Sequence, residues 1–358
     1  MSLNTLPANE VIQRLHEFDT VIDARSEDEY AQDHLPSAVN WPTLNNQERH
    51  DIGTLYKQVN PFEARKRGAA MAARNIAAHI ERELLDTPKD WKPLTYCWRG
   101  GQRSGSLSLI LSQIGFRVTL VEGGYKAFRA AVVGDIPRLV SQLDWRVICG
   151  PTGSGKTRLL QALAAEGAQI IDLEALANHR SSVLGAIPGL AQPTQKRFDT
   201  VIWDAVRRLD PKQPVFIESE SKKVGNVAVP TSLVETMRQS PCLNLMLPDA
   251  ERVALLLEDY DFFVRDVAHF CERLQVLAEF RGKAVVDAWQ ASVRAGNIEP
   301  VVHDLLTQHY DPSYLQSMQR NFPQFKAAKT IAPDDHSRGA MGLLAQKIIS
   351  EMASPARA

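Results

Sequence analysis

Residues 145–157 have the sequence WRVICGPTGSGKT and decide the fold of the second half of the chain. Five mainly apolar residues, typical of a strand, lead into a loop that matches G-x-x-x-x-G-K-[ST] in full, and a helical pattern follows. Loop amides and a helix amino terminus that face one point form a cradle for paired phosphates. The predicted diphosphate-binding residues are Gly150, Thr152, Gly153, Ser154, Gly155, Lys156 and Thr157.

This phosphate loop also predicts individual roles. Lys156 reaches the terminal phosphate oxygens, and Thr157 is the predicted Mg²⁺ ligand. Asp172 and Glu218 end the neighbouring predicted strands, and either is a candidate to hold Mg²⁺ through water. Such a loop holds any pyrophosphate, so the pattern leaves the ligand open. The predicted contacts to the substrate or its leaving group are Asp172, Glu174, His179, Arg180 and Glu218.

A second loop, residues 97–104, has the sequence CWRGGQRS. Gly100 and Gly101 allow backbone N–H groups to turn inward, and the helix predicted to follow points its positive end at the sulfur. Two arginines add positive charge. We therefore expect Cys97 to be a thiolate that can carry an extra sulfur or selenium atom. The predicted catalytic residues are Cys97, Arg99 and Arg103.

Composition limits the classes of protein that fit. The 358 residues have a formal net charge of −1, so any RNA contact must come from a local basic patch. Four scattered cysteines form no C-x-x-C pair, which argues against zinc or a disulfide framework. No signal peptide and no membrane-length apolar stretch is recognised, and we expect a cytoplasmic protein with no membrane contact. The candidate RNA contacts are Trp98, Arg65, Lys66 and Arg67.

The residues around the cysteine loop resemble the signature of rhodanese domains. Asp23-Ala24-Arg25, Glu29-Tyr30 and His34 to Asn40 resemble D-x-R…E-[FY]…H-[IL]-x-G-A-x-[NH], and Glu122 to Ala127 resembles the turn after the last rhodanese strand. Ser37 departs from the signature, which has glycine there. The cysteine loop is also one residue longer than is typical of sulfurtransferases.

Strands alternate with helices in both halves, which predicts parallel sheets with helices on both faces. The predicted fold class is α/β, with a rhodanese-like parallel-sheet domain followed by a P-loop NTPase-like α/β domain and a helical C-terminal region. The predicted domains are residues 1–135, 136–250 and 251–358, the last packing on the P-loop domain. A linker with a weakly helical start is predicted at 136–144.

The combination of the two loops resembles the bacterial tRNA 2-selenouridine synthase family, over about residues 15–310 and most strongly at the loops. The resemblance implies replacement of sulfur by selenium in wobble 2-thiouridine of tRNA. It further implies selenophosphate as selenium donor, S-geranylation by geranyl diphosphate, contact with the anticodon region, and supply by a selenophosphate-producing enzyme. The two loops then have different roles, because the phosphate loop holds the departing pyrophosphate and Cys97 handles selenium.

Three other functions remain open from the residues. One is an ATP-dependent sulfurtransferase or kinase-like tRNA-modifying enzyme, and another is a nucleotide-gated persulfide carrier that does not act on RNA. The C-x5-R-S spacing from Cys97 also fits a phosphatase, although Tyr96 stands where phosphatases usually have histidine.

Overall fold

The structure is a computed structural model that describes residues 3–182 and 184–353. Its internal contacts divide the chain into two units. The first comprises Met1–Arg138 and Pro193–Asp204, and the second comprises Leu139–Gln192 and Ala205–Ala358. The domain boundaries inferred from the sequence stay predictions, and residues 354–358 of the third predicted domain lie outside the described residues.

The elements up to residue 141 alternate as predicted. The strands are β1 Asn4–Pro7, β2 Thr20–Asp23, β3 Ala38–Asn40, β4 Pro93–Tyr96 and β5 Thr119–Glu122. The helices are α1 Ala8–Arg14, α2 Glu27–Gln32, α3 Asn46–Gln58, α4 Pro61–Glu83, α5 Gln102–Ile114 and α6 Gly124–Ser141. The five strands form one sheet in the order β1-β5-β4-β2-β3, and every pairing is parallel. The parallel-sheet α/β prediction for this half is confirmed.

Local sequence explains several of these boundaries. Ser26 and Glu29 form a capping box at the start of α2, and Asn45 caps α3. Between α5 and the sheet, apolar side chains such as Leu107 and Leu111 are fully buried, beside Ile22 of β2. Burial of this kind fixes α5 over β4, and so places the loop between them at the carboxyl edge of the sheet.

The elements after residue 141 form the second sheet and most of the helices. The strands are β6 Asp144–Cys149, β7 Gln169–Ile171, β8 Pro214–Glu218, β9 Lys223–Val224, β10 Val227–Ala228, β11 Cys242–Leu245 and β12 Lys329–Ile331. The first helices are α7 Lys156–Ala165, α8 Leu173–Ala177, α9 Gln195–Val206 and α10 Thr231–Gln239. The later ones are α11 Asp249–Asp259, α12 Asp261–Arg265, α13 Val267–Gln275, α14 Ala278–Arg281, α15 Lys283–Arg294, α16 Ile298–Asp304, α17 Asp311–Asn321 and α18 Arg338–Ala353. A π-helical segment, Leu305–Tyr310, joins α16 to α17.

The second sheet is also parallel, in the order β12-β11-β6-β8-β7, and β9 and β10 form a separate antiparallel pair. The C-terminal region does more than supply helices, because β12 forms an edge of this sheet. Met341 and Leu344 of α18 are buried in the same core as Leu159 and Leu163 of α7. The last described helix therefore stabilises the helix that follows the phosphate loop.

The linker predicted at residues 136–144 is wrong. Helix α6 continues through Pro137 to Ser141, and β6 begins at Asp144. Ile136 and Val140 are buried, and burying two aliphatic side chains outweighs the cost of a proline within the helix.

A tight turn explains the departure at Ser37. The amide of Ala38 donates to the carbonyl of Leu35 at 3.1 Å, and Ser37 has φ +59°. With proline second and a left-handed residue third, the turn resembles type II, which favours glycine at the third position. Serine at this position is strained.

Across the described residues, no helix has both the length and the apolar character needed to cross a bilayer.

Candidate functional site

The Cys97 loop lies between the end of β4 and the start of α5. The Cys97 side chain is 3% exposed, and the Ser104 hydroxyl donates to its sulfur at 3.0 Å. Within the described residues, none of the amides of residues 98–103 has an intramolecular acceptor. Free amides next to a helix amino terminus suit an anion, and the anion site at this loop stays a prediction.

A glycine turn supports this loop from below. The amide of Tyr125 donates to the Cys97 carbonyl at 2.8 Å, and that of Lys126 donates to the Trp98 carbonyl at 3.1 Å. Gly124 has φ +58°, and a Cβ there would lie 2.3 Å from the Cys97 oxygen and 2.4 Å from the Gly100 nitrogen. Only glycine allows this approach, so the turn after β5 sets the shape of the loop.

The two loop arginines differ in their surroundings. Arg103 forms two hydrogen bonds with Glu29, of 2.5 and 3.2 Å, and both side chains are largely buried. Arg99 is exposed, and no ion pair joins it to another described residue. Arg99 is therefore the arginine with charge available for a ligand, while Arg103 links α5 to α2.

A buried polar network lies beneath the loop. Arg25 pairs with Asp23 at 2.6 Å, and its guanidinium carbon lies 3.9 Å from the centre of the Tyr125 ring. Burial alone would lower the pKa of Arg25, but its hydrogen bond to the Asp23 carboxylate gives a net increase. The hydroxyls of Tyr125 and Thr200 donate to Asp33 at 2.8 and 2.9 Å. Since the same Tyr125 supports the cysteine loop, this network fixes the loop from within the first unit.

The candidate RNA contacts lie at the surface of the first unit or near it. Trp98 is half-buried; its ring centre lies 5.5 Å from that of Tyr125 and 5.7 Å from the Lys196 ammonium. Arg65, Lys66 and Arg67 are exposed on α4. Lys66 pairs with Glu63 at 2.5 Å, so part of this cluster is already neutralised.

The phosphate loop follows β6, and α7 begins at Lys156 as the motif requires. Within the described part of the chain, the amides of Gly153, Gly155, Lys156 and Thr157 have no acceptor. The Lys156 ammonium folds back to donate to the carbonyl of Gly150 at 2.8 Å. These donors are available to a diphosphate.

Three glutamates surround the start of α7. The carboxylates of Glu174, Glu218 and Glu220 lie within 4.8 Å of one another, and the Thr157 hydroxyl donates to Glu174 and Glu218 at 3.3 Å. Burial, and then the neighbouring Glu220, raise the pKa of Glu174 to about 8. Burial also raises the pKa of Glu218 and of Glu220. Closely spaced carboxylate oxygens suit a hard divalent cation, and these residues with Thr157 would hold Mg²⁺.

Of the other predicted substrate contacts, Asp172 and Arg180 have structural partners, whereas the buried Nδ1 of His179 has no hydrogen-bond partner among the described residues. Asp172 accepts from the Ala175 amide at 2.8 Å and caps α8. His179 is buried, and burial followed by Arg273 lowers its pKa, so the imidazole is neutral. The Arg180 guanidinium carbon lies 4.7 Å from the centre of the Tyr260 ring. Among these residues Glu174 and Glu218 are brought next to Thr157.

Sequence reasoning missed three residues at this loop. Glu220 joins the carboxylate cluster. Arg252, 4% exposed, donates to the Thr152 carbonyl at 2.8 and 3.0 Å and pairs with Asp311 at 2.5 Å. The Tyr314 hydroxyl accepts from the Gly150 amide at 2.6 Å. Glu220 had a signal, because Glu218-x-Glu220 follows a strand and alternate residues there share a face. Arg252 and Tyr314 had none.

Comparison with known proteins assigns a domain family to the part of the chain around each loop. Residues 7–131 match the rhodanese-like domain family, and residues 143–284 match the family described as the tRNA 2-selenouridine synthase AAA domain. A rhodanese-related protein from Thermoplasma volcanium is 20% identical with a TM-score of 0.22, covering 35% of this chain and 89% of that chain. A TM-score that low says nothing about function.

Two relatives are named tRNA 2-selenouridine synthase. The Sulfurovum protein is 32% identical over 84% of this chain and 89% of its own length. The Nitrosomonas europaea protein is 36% identical over 67% of this chain, and the chain spans 63% of that relative's length. Both loops, their order along the chain and these similarities lead to one conclusion: the chain belongs to the tRNA 2-selenouridine synthase family.

Proposed function

We propose that this protein converts 2-thiouridine to 2-selenouridine at the wobble position of tRNA, through an S-geranylated intermediate. The observation that carries the proposal is that one chain holds two loops with free amides, one around a buried thiol and one with the phosphate-loop sequence. The name of the relatives, tRNA 2-selenouridine synthase, supports the formation of 2-selenouridine in tRNA.

In the first step the thiocarbonyl sulfur of 2-thiouridine attacks C1 of geranyl diphosphate. A C–S bond forms, the C–O bond to the diphosphate breaks, and the base loses its N3 proton. Lys156 and the free loop amides hold the departing pyrophosphate, whose charge increases as the bond breaks. Alkylation converts a poor leaving group on C2 into a thioether that can leave as geranylthiol.

In the second step selenium replaces geranylthiol at C2. Selenium leaves selenophosphate as selenide and becomes the selenocarbonyl of the product without a change of oxidation level. The phosphoryl group of selenophosphate is transferred to water and released as phosphate. Cys97 is the proposed nucleophile that opens the Se–P bond: its sulfur bonds to phosphorus, selenide is released to attack C2, and water then frees the cysteine. Arg99 and the loop amides would hold the phosphoryl oxygens.

An alternative route gives a different phosphorus product. A perselenide on Cys97 would form an S–Se bond, release phosphorus as phosphite and need a thiol to reduce the later adduct. Phosphorus NMR distinguishes the routes, because the redox-neutral route gives phosphate.

Mg²⁺ bound by Thr157 and the glutamate cluster would stabilise negative charge on the diphosphate. The tRNA anticodon region as partner, a selenophosphate-producing enzyme as supplier and a cytoplasmic location belong to the same proposal. Trp98 and the exposed residues Arg65, Lys66 and Arg67 are the proposed RNA contacts.

Reconstitution tests the proposal. A thiolated anticodon stem-loop is incubated with protein, geranyl diphosphate, selenophosphate and Mg²⁺, and its nucleosides are identified by mass spectrometry. We expect 2-selenouridine with all components, the S-geranyl nucleoside without selenophosphate, and unchanged 2-thiouridine without geranyl diphosphate. Selenation that depends on ATP and not on geranyl diphosphate would contradict the proposal.

A further inference from the structure

An apolar cleft opens beside the phosphate loop, inside the second unit. It encloses about 500 Å³ including its open mouth, and Thr152 of the loop forms part of its wall. Most of the remaining wall is aliphatic or aromatic, with Leu257, Phe263 and Leu306 as examples. Among the described residues that line it, none carries a charge. An apolar cleft that adjoins a polar anchor is the usual form of a small-molecule site.

The cleft adjoins the phosphate loop through Thr152 and Leu256. Leu256 lies so close to Gly153 that a Cβ on that glycine would be 3.2 Å from the leucine side chain. Arg252, one turn earlier on α11, fixes the Thr152 carbonyl. The same helix therefore contacts the loop and forms the wall of the cleft.

Another part of the wall contains an unusual backbone segment. Leu305, Leu306 and Tyr310 line the cleft and belong to the π-helical segment Leu305–Tyr310. Such segments occur often at functional sites, because the extra residue per turn re-aims side chains. Burial raises the pKa of Tyr310 to about 12, so its hydroxyl is neutral at physiological pH.

We infer that this cleft binds the isoprenoid chain of geranyl diphosphate, with its diphosphate in the adjacent loop. The inference rests on the proposed function and adds the place where the isoprenoid chain binds. A nucleobase is a poorer occupant, because its hydrogen-bonding edge would meet mainly apolar walls and would stay unpaired. A branched hydrocarbon chain matches these walls and removes their surface from water.

Calorimetry with the full chain and Mg²⁺ tests the inference. Inorganic pyrophosphate and geranyl diphosphate share the diphosphate group, so the difference between their Kd values measures the contribution of the isoprenoid chain to binding. We expect geranyl diphosphate to bind at least about tenfold more tightly, with a more negative heat-capacity change.

Two variants alter the cleft in different ways. Leu257→Trp fills it, and Val264→Asp places a charge on a wall residue that is 42% exposed and so tolerates substitution. Each should weaken geranyl diphosphate about tenfold or more and leave pyrophosphate within about twofold. Val285, on α15 and 37% exposed, is not among the lining residues, and Val285→Trp and Val285→Asp serve as matched controls.

The outcomes separate the two proposals. If the wild-type protein binds pyrophosphate and geranyl diphosphate with equal affinity, the cleft is not the site of the isoprenoid chain, while diphosphate binding by the loop still stands. If geranyl diphosphate still binds tenfold more tightly than pyrophosphate in both cleft variants, the isoprenoid chain binds elsewhere and the inference is also overturned. If neither compound binds while ATP does, the proposed function itself is wrong. Retained pyrophosphate binding in a variant shows that its second unit is folded.

Discussion

Replacing Gly124 by alanine tests how the Cys97 loop is held. The new Cβ would lie 2.3 Å from the Cys97 oxygen and 2.4 Å from the Gly100 nitrogen, whereas real Cβ contacts essentially never fall below 3.0 Å. The loop would have to move by about 0.7 Å, the difference between 3.0 and 2.3 Å. Both contacts are with backbone, so no side-chain rotation can relieve them.

The energetic and catalytic costs follow from this displacement. Alanine at φ +58° costs about 1–2 kcal/mol, and weakening the Tyr125 and Lys126 amide bonds adds about 1 kcal/mol each. The expected loss in the free energy of unfolding is therefore about 3–4 kcal/mol. A shift approaching 1 Å at a reacting group lowers rate by about 100-fold, and we expect that loss in selenation.

Gly115→Ala is the matched control. Gly115 has φ +118°, but a Cβ there meets no atom within 4 Å. Its replacement should cost about 1 kcal/mol and leave selenation nearly unchanged. The assays are urea unfolding and selenation of a geranylated stem-loop. Wild-type selenation by Gly124→Ala would refute the reasoning, as would an equal loss in both variants, which would point to general destabilisation.

Three further predictions concern stability. The pKa of Glu174 is about 8 in the folded state and near 4.5 in the unfolded state, so the folded state binds more protons between these pH values. The free energy of unfolding, measured in urea, should therefore fall as pH rises from about 5 to 8. The fall should be smaller in Glu174→Gln. A parallel pH dependence in both proteins contradicts this. Ser37→Gly should raise the free energy of unfolding by about 0.5–1 kcal/mol by relieving a left-handed serine, and a decrease would refute the strain. Thr200→Val should lower the free energy of unfolding by about 1–3 kcal/mol, because buried Asp33 loses a hydrogen-bond donor. The control Thr5→Val, at an exposed position, should change it by less than about 0.5 kcal/mol. Equal effects of the two substitutions would exclude a role for the Thr200–Asp33 hydrogen bond.

Local patterns predicted most of the fold. Both loops, their preceding strands and their following helices were predictable because glycine spacing and apolar alternation act over a few residues. The helix predicted after the cysteine loop begins at Gln102. Strand β8 ends at Glu218, as the sequence predicted.

Contacts distant in sequence were not predictable in this way. A linker was predicted from residue 136, yet the buried face of α6 keeps the helix intact to Ser141. Residues 193–204 follow the phosphate loop in sequence but group with the first unit, where Thr200 contacts Asp33. Arg252 reaches Thr152 from 100 positions away. Such contacts depend on packing between elements, which no short pattern encodes.

The separate roles of the two loops are tested most directly by nucleoside mass spectrometry of two variants in the complete reaction. We predict that Cys97→Ser accumulates the S-geranyl nucleoside and makes no 2-selenouridine, whereas Lys156→Ala leaves 2-thiouridine largely unchanged. Supplying a pre-geranylated stem-loop should restore selenation to Lys156→Ala but not to Cys97→Ser. Formation of 2-selenouridine by Cys97→Ser, or loss of geranylation in it, would contradict this account.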